Sequence, residues 1–119
     1  MFKQCVYMGF LLLFVSTLCL AQQQQPKTEL LDAFIIDVRT QAEWQEGHLV
    51  QARLIPWQEI VEEVASLKLD KNQPIALFCR SGNRASKAMA LLNEAGYSKV
   101  RNLGSLEQAA EVLNQDIVK

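Results

Sequence analysis

Residues 75–84 read Ile-Ala-Leu-Phe-Cys-Arg-Ser-Gly-Asn-Arg, an apolar run that stops at Cys79 and turns at once into a polar, glycine-containing loop. Four consecutive apolar residues after the turn cluster Asp70-Lys-Asn-Gln-Pro74 signal a strand buried on both faces. Beyond the loop, Ala85, Ala88, Met89, Leu91 and Leu92 recur at helical spacing as far as Gly96, so a helix is expected to start near Arg84. Strand, short loop and helix make half of a parallel βαβ unit, which sets Cys79 at the carboxyl end of a buried strand.

Upstream, Ala33-Phe-Ile-Ile-Asp-Val38 is a second short run rich in β-branched residues and stops at Arg39, as a buried strand does. Thr40-Gln-Ala-Glu43 then has the form of a capping box, opening a short helix to Glu46 that Gly47 ends. Ala52–Pro56 reads as a brief strand closed by a proline that cannot donate to a ladder. From Trp57, Ile60, Val61, Val64 and Leu67 keep helical spacing while acidic residues fill the other positions. Lys99–Leu103 is a weaker strand and Leu106–Leu113 a closing helix. Trp44 and Trp57 fit helix faces and are expected in the core, as is Phe78. Alternation of strand and helix predicts an α/β fold: a mostly parallel central sheet flanked by helices on both faces, with ligands beyond the carboxyl ends of the strands.

The first 21 residues have a different composition. Lys3, an apolar stretch from Val6 to Leu20, and small residues at the spacing of Cys19-Leu20-Ala21 have the order of a cleaved signal peptide. Ser16 and Thr17 interrupt the stretch, leaving it short of the ~20 apolar residues that cross a bilayer. Bulky Leu18 before Cys19 argues against a lipoprotein signal. Residues 1–21 are therefore expected to be removed, 22–27 to form a flexible leader, and 28–119 to fold as one domain exported to the periplasm, without membrane attachment.

Cleavage leaves Cys79 as the sole remaining cysteine of three, so no internal disulfide is available. An unpaired thiol in an oxidising compartment points to chemistry or to an intermolecular bond. One of the twelve basic residues, Lys3, leaves with the signal; eleven then face thirteen acids, a net charge of −2, and no basic face suggests nucleic acid.

The loop Cys79-Arg-Ser-Gly-Asn-Arg84 can turn several backbone N–H groups toward one point, making a nest for negative charge at a helix start. A thiolate there gains from those N–H groups and from Arg80 and Arg84, so Cys79 is expected to be nucleophilic near neutral pH. Gly82 and Asn83 tolerate the positive φ such a cradle needs; Ser81 completes it. Asp37 and Arg39 leave their strand at the same end of the sheet and are expected to brace the loop or line its entrance. His48 is expected to be structural, since a thiolate already favoured needs no general base.

Asp37-Val-Arg through Gly47-His-Leu49, Pro56, the Cys79–Arg84 loop and Asn102-Leu-Gly-Ser-Leu106 occur in the order and spacing of a rhodanese. The chain resembles a single-domain rhodanese-like sulfurtransferase, and among its members the small exported ones of the phage-shock type. The resemblance implies thiosulfate sulfurtransferase activity: Cys79 takes sulfane sulfur from a small anionic donor, holds it as a persulfide, and passes it to cyanide or a thiol. It implies no metal and no organic cofactor, and a monomer is expected. The loop residues Arg80, Ser81, Gly82, Asn83 and Arg84 would bind the donor, Arg84 alternatively holding the loop through a carboxylate. The chain departs from the family pattern at Gln51 and Ser105, where glycine is usual, at Ala109, often tryptophan, and at Ala85, commonly serine or threonine. The first two put local turn conformations in question; the last removes a hydroxyl near the thiol. Two other readings stand beside this one. One is an exported persulfide carrier or binding module that acts only with a protein partner. The other is a cysteine phosphatase or arsenate reductase, against which the loop counts: such phosphatases place arginine six positions after the cysteine, where Ala85 stands here.

Overall fold

The computed structural model describes residues 30–119, with elements in the order β1 (Phe34–Asp37), α1 (Gln41–Glu46), β2 (His48–Leu49), β3 (Arg53–Leu54), a 3₁₀ turn (Trp57–Glu59), α2 (Ile60–Ser66), β4 (Ile75–Cys79), α3 (Asn83–Glu94), β5 (Val100–Ser105), α4 (Leu106–Leu113) and β6 (Ile117–Val118). The proposed signal and the leader lie outside the described residues. No helix among the described residues is long and apolar enough to cross a membrane.

A strand apolar at every position needs cover on both faces and a neighbour at both edges. β4 has them: all five residues are buried, β1 and β5 pair with it in parallel, and β3 completes the order β3-β1-β4-β5. Side chains alternate across the sheet. Ile36, Val38, Ile75, Leu77 and Cys79 pack with Ile60 and Val64 of α2 and Ala85, Ala88 and Leu92 of α3. On the other face Ile35 and Phe78 meet Leu49 and, from α4, Leu106 and Ala109. Helices therefore cover both faces, as the alternation of elements predicted. Parallel pairing brings Asp37, Leu54, Cys79 and Ser105 to one edge.

Several local expectations are corrected. The capping box at Thr40 is half made: its hydroxyl accepts from the Glu43 N–H at 3.3 Å, but the Glu43 carboxylate turns to Arg84. A complete box forms instead at Ser105 and Gln108, at the start of α4. The helix expected from Trp57 begins as a 3₁₀ turn, and Val61 faces water, 39% exposed. Neither tryptophan is fully buried. Trp44 stacks on His48, centroids 4.0 Å apart, and Trp57 lies at the margin of one core with the Lys87 ammonium 5.0 Å from its ring centre. The two-residue strands β2 and β6 pair antiparallel and were not anticipated; two residues carry no period to read.

The positions where the chain departs from the family pattern keep ordinary backbone. Positive φ among the described non-glycine residues occurs only at Lys68 and Asn114, so neither Gln51 nor Ser105 requires the left-handed conformation that favours glycine. Ser105 earns its place as the α4 N-cap, and Ala109 is fully buried against Phe78 and its neighbours.

Candidate active site

Cys79 ends the central strand with its side chain pointing into the α2–α3 face, which leaves it fully buried. The loop then closes over the sulfur. Gly82, at φ 89°, takes the left-handed backbone that lets its N–H turn back and donate to Cys79 Sγ at 2.9 Å. Burial pushes the thiol pKa up, but the N–H groups of Ala85, Ser81, Gly82 and Arg84 outweigh it together, and the thiol lies below its ordinary value. Stabilisation of the thiolate by backbone amides alone is the arrangement of an anion nest.

The sign of the pH dependence follows. Because the folded pKa is below the unfolded one, the ionised thiol adds stability that is fully present above the unfolded pKa, about 8.5, and is lost as pH falls through the folded pKa. Titration of thiolate absorbance, with the Cys79→Ala variant subtracted, is expected to show a midpoint below that of the same chain in denaturant. Equal midpoints would remove the activated-thiol reading.

The charged residues divide into two groups. Asp37 and Arg39 form a buried ion pair: the Arg39 guanidinium donates to both Asp37 oxygens, at 2.7 Å from Nη2 to Oδ2, and to the Gly47 carbonyl at 2.8 Å. Burial works against the Arg39 charge, yet its bonds to Asp37, with Glu43 and Glu107 adding, raise its pKa. This pair ties the end of β1 to the turn after α1. Gly47 packs closely there, since a Cβ would sit 3.1 Å from Ile117 Cγ2, tight enough that Ile117 would have to give by a few tenths of an ångström. His48 donates from Nδ1 to the Trp44 carbonyl at 3.0 Å, which pins the same turn.

Arg84 is half-buried and donates to both oxygens of Glu43, at 3.0 and 3.2 Å. Glu43 on α1 thus holds the far end of the cysteine loop. Arg80, in contrast, is exposed, and the structure shows no ion pair for it among the described residues. Ser81 is exposed on the loop's outer side, and Asn83, also exposed, is already the first residue of α3, so only Gly82 takes the positive φ expected of both. Ser81 and Asn83 border a shallow polar cleft of about 400 Å³ that Gly82, Ser86, Asn102 and Gly104 also line.

Two residues in contact with this loop were not singled out from the sequence as site residues. Glu43 was assigned to a helix cap, which its position also suits. Asn102, from β5, donates to the Gly82 carbonyl and to Ser86 Oγ, both at 2.9 Å, and accepts the Gly104 N–H at 2.8 Å. An asparagine two residues before a glycine is a recognisable turn signal; its partners on the cysteine loop are not adjacent in sequence.

Comparison with known proteins now bears on what this loop does. The family described as Rhodanese-like domain matches residues 19–111. The chain belongs to the rhodanese-like family. It is similar to the thiosulfate sulfurtransferase PspE of Escherichia coli K12, 36% identical over 75 residues that cover 63% of this chain and 72% of that protein. Thiosulfate sulfurtransferase 18 of Arabidopsis thaliana is 42% identical over 82 residues, 58% of this chain and 60% of that one. Among solved structures, a rhodanese with anions from E. coli superposes with a TM-score of 0.66 at 33% identity, covering 73% of this chain and 98% of that one. The chain is thus a member of a sulfurtransferase family and shares the α/β architecture of the solved rhodanese.

Proposed function

We propose that this rhodanese transfers sulfane sulfur from thiosulfate to cyanide or a thiol through a persulfide on Cys79. The observation that supports it most is the one thiol among the described residues, at the carboxyl end of β4 and enclosed by the N–H groups of its own loop. In the first half-reaction the thiolate attacks the outer sulfur of thiosulfate. A bond forms from Sγ to that sulfur, the S–S bond of thiosulfate breaks, and its electron pair leaves with sulfite. The persulfide keeps one negative charge, which the same amides stabilise. In the second, cyanide or an acceptor thiolate attacks the outer sulfur, and the electron pair returns to Sγ. Splitting one transfer into two displacements is the advantage of the covalent route.

Purified protein given thiosulfate and cyanide is expected to yield thiocyanate. A chain that gains sulfur yet turns over neither cyanide nor small thiols is instead a carrier for a protein partner. The two loop arginines are expected to separate in kinetics. Arg80→Ala removes an exposed cation without an ion pair here and raises KM for thiosulfate about fivefold, roughly 1 kcal/mol, with little change in kcat. Arg84→Ala releases the loop from Glu43 and lowers kcat more than it raises KM. The opposite split would assign donor binding to Arg84.

Export rests on residues 1–21. Protein recovered from the periplasm of an expressing cell is expected to start at Gln22, as read by N-terminal sequencing; an intact Met1 would show a retained leader.

A further inference from the structure

We propose that Asn102 is a positioning residue for the sulfur chemistry, holding the Gly82 N–H on Cys79 Sγ from the neighbouring strand. This deepens the reading of Cys79 as the sulfur-bearing nucleophile and rests on it. The geometry starts in the sheet. Leu77 pairs with Asn102 and Cys79 with Ser105, so β5 spends one more residue than β4 over the same span, a bulge beside the cysteine. Gly104, at φ 88°, takes up the irregularity, and a Cβ there would run into Gln108 Oε1 of the α4 capping box. Asn102 Oδ1 secures the bulge by accepting the Gly104 N–H at 2.8 Å.

That leaves Nδ2 facing the loop, where it donates to the Gly82 carbonyl and Ser86 Oγ, each at 2.9 Å. Gly82 is therefore held on two sides. Its carbonyl accepts from Asn102 and from the Ser86 N–H, and its own N–H donates to the sulfur. A glycine is the residue that most needs such a hold, because its φ and ψ are otherwise the least restricted in the loop. The side chain that would supply a steric alternative is absent: the space a Gly82 Cβ would enter lies 3.5 Å from Gly104 Cα and 3.7 Å from Asn102 Nδ2. Asn102 touches no reacting atom; it acts through Gly82.

The test is the thiolate absorbance titration of the full chain, with Cys79→Ala subtracted. Asn102→Leu, close in size and uncharged, and Asn102→Ala both remove the hold on Gly82 while leaving Arg80, Arg84, Glu43 and the Asp37–Arg39 pair in place. Each is expected to raise the Cys79 midpoint by about 0.5–1 unit, which at pH below both midpoints lowers the thiolate fraction roughly three- to tenfold. Ser86→Ala removes the second partner of Nδ2 alone and leaves the midpoint unchanged. Ser105→Ala, which breaks the α4 capping box next door, controls for general loosening and also leaves it unchanged. If the alanine variant is too unstable to titrate, the leucine variant decides. Midpoints of Asn102 variants equal to wild type, or a Ser105→Ala shift as large as theirs, would overturn the proposal. The titration needs no sulfur donor, so a brace that fails is told apart from a transferase that fails, which the thiocyanate assay reports.

Discussion

Cys79→Ala is expected to abolish thiocyanate formation, a loss of at least ~10³-fold, because no other described residue offers a thiol to carry sulfur. The same substitution removes the mass gain of one sulfur, about 32 Da, that thiosulfate should produce on the wild-type chain. Mass spectrometry of the intact protein before cyanide is added reads that covalent step directly, and addition of cyanide should reverse it. Cys79→Ser should behave like the alanine variant, since a hydroxyl ionises far above the thiol range and forms no persulfide. Folding is the concern with any substitution at a fully buried site. Alanine and serine are both small enough for the space, and the core around Cys79 is supplied by Ile36, Leu77, Ala85 and Ala88, so both variants are expected to fold. Turnover retained by either variant would remove Cys79 as the nucleophile.

Asp37→Ala is expected to be the most destabilising single change in the domain. It leaves the Arg39 guanidinium buried with the Gly47 carbonyl as its remaining hydrogen-bond partner and only Glu43 and Glu107 to offset its charge, and removing one partner of a buried pair costs about 3–5 kcal/mol. For a domain of this size each kcal/mol lowers Tm by roughly 4–8 °C, so thermal unfolding should move down by more than ten degrees. The sign of the pair's own contribution is separable. Replacing both partners by apolar residues, Asp37→Leu with Arg39→Met, removes the charge as well as its counter-ion and is expected to recover most of the loss. A double variant as unstable as Asp37→Ala would show that the site needs the bonds to Gly47 and the turn more than it suffers from the buried charge. Urea unfolding followed by circular dichroism distinguishes the two.

The elements that position the cysteine were legible because each announces itself over a run of neighbouring residues. Ile75–Phe78 is apolar at every position and so had to be a central strand; the observed strand adds only Cys79. Leu106–Leu113 was placed to the residue. Ala85, Ala88 and Leu92 recur at the helical period and are the buried face of α3. What escaped was either too short or too distant. β2 and β6 have two residues each, below any periodicity, and pair across nearly seventy residues of chain, His48 with Val118 and Leu49 with Ile117. Val61 fell within the helical pattern but faces water, because Ile60 and Val64, one turn apart, take the core face and Val61 is turned about 100° from Ile60.

The site divides in the same way. By itself the sequence determined the order of strand, cysteine, six-residue loop and helix, the glycine able to adopt φ 89°, and the rhodanese likeness that follows from them. These are contiguous features, set by backbone sterics and local hydrogen bonding. Only the tertiary structure decided which charges serve the loop and which serve each other. Asp37 and Arg39, read from the sequence as bracing the loop or lining its entrance, pair with one another because a buried charge needs its partner close. Glu43 and Arg84, forty-one positions apart, meet because parallel crossovers bring α1 and the start of α3 to the same edge. Asn102 reaches Gly82 for the same reason, from a strand paired beside it. A thiolate cradle can be read from six residues; what holds it in shape comes from strands and helices that sequence order keeps apart.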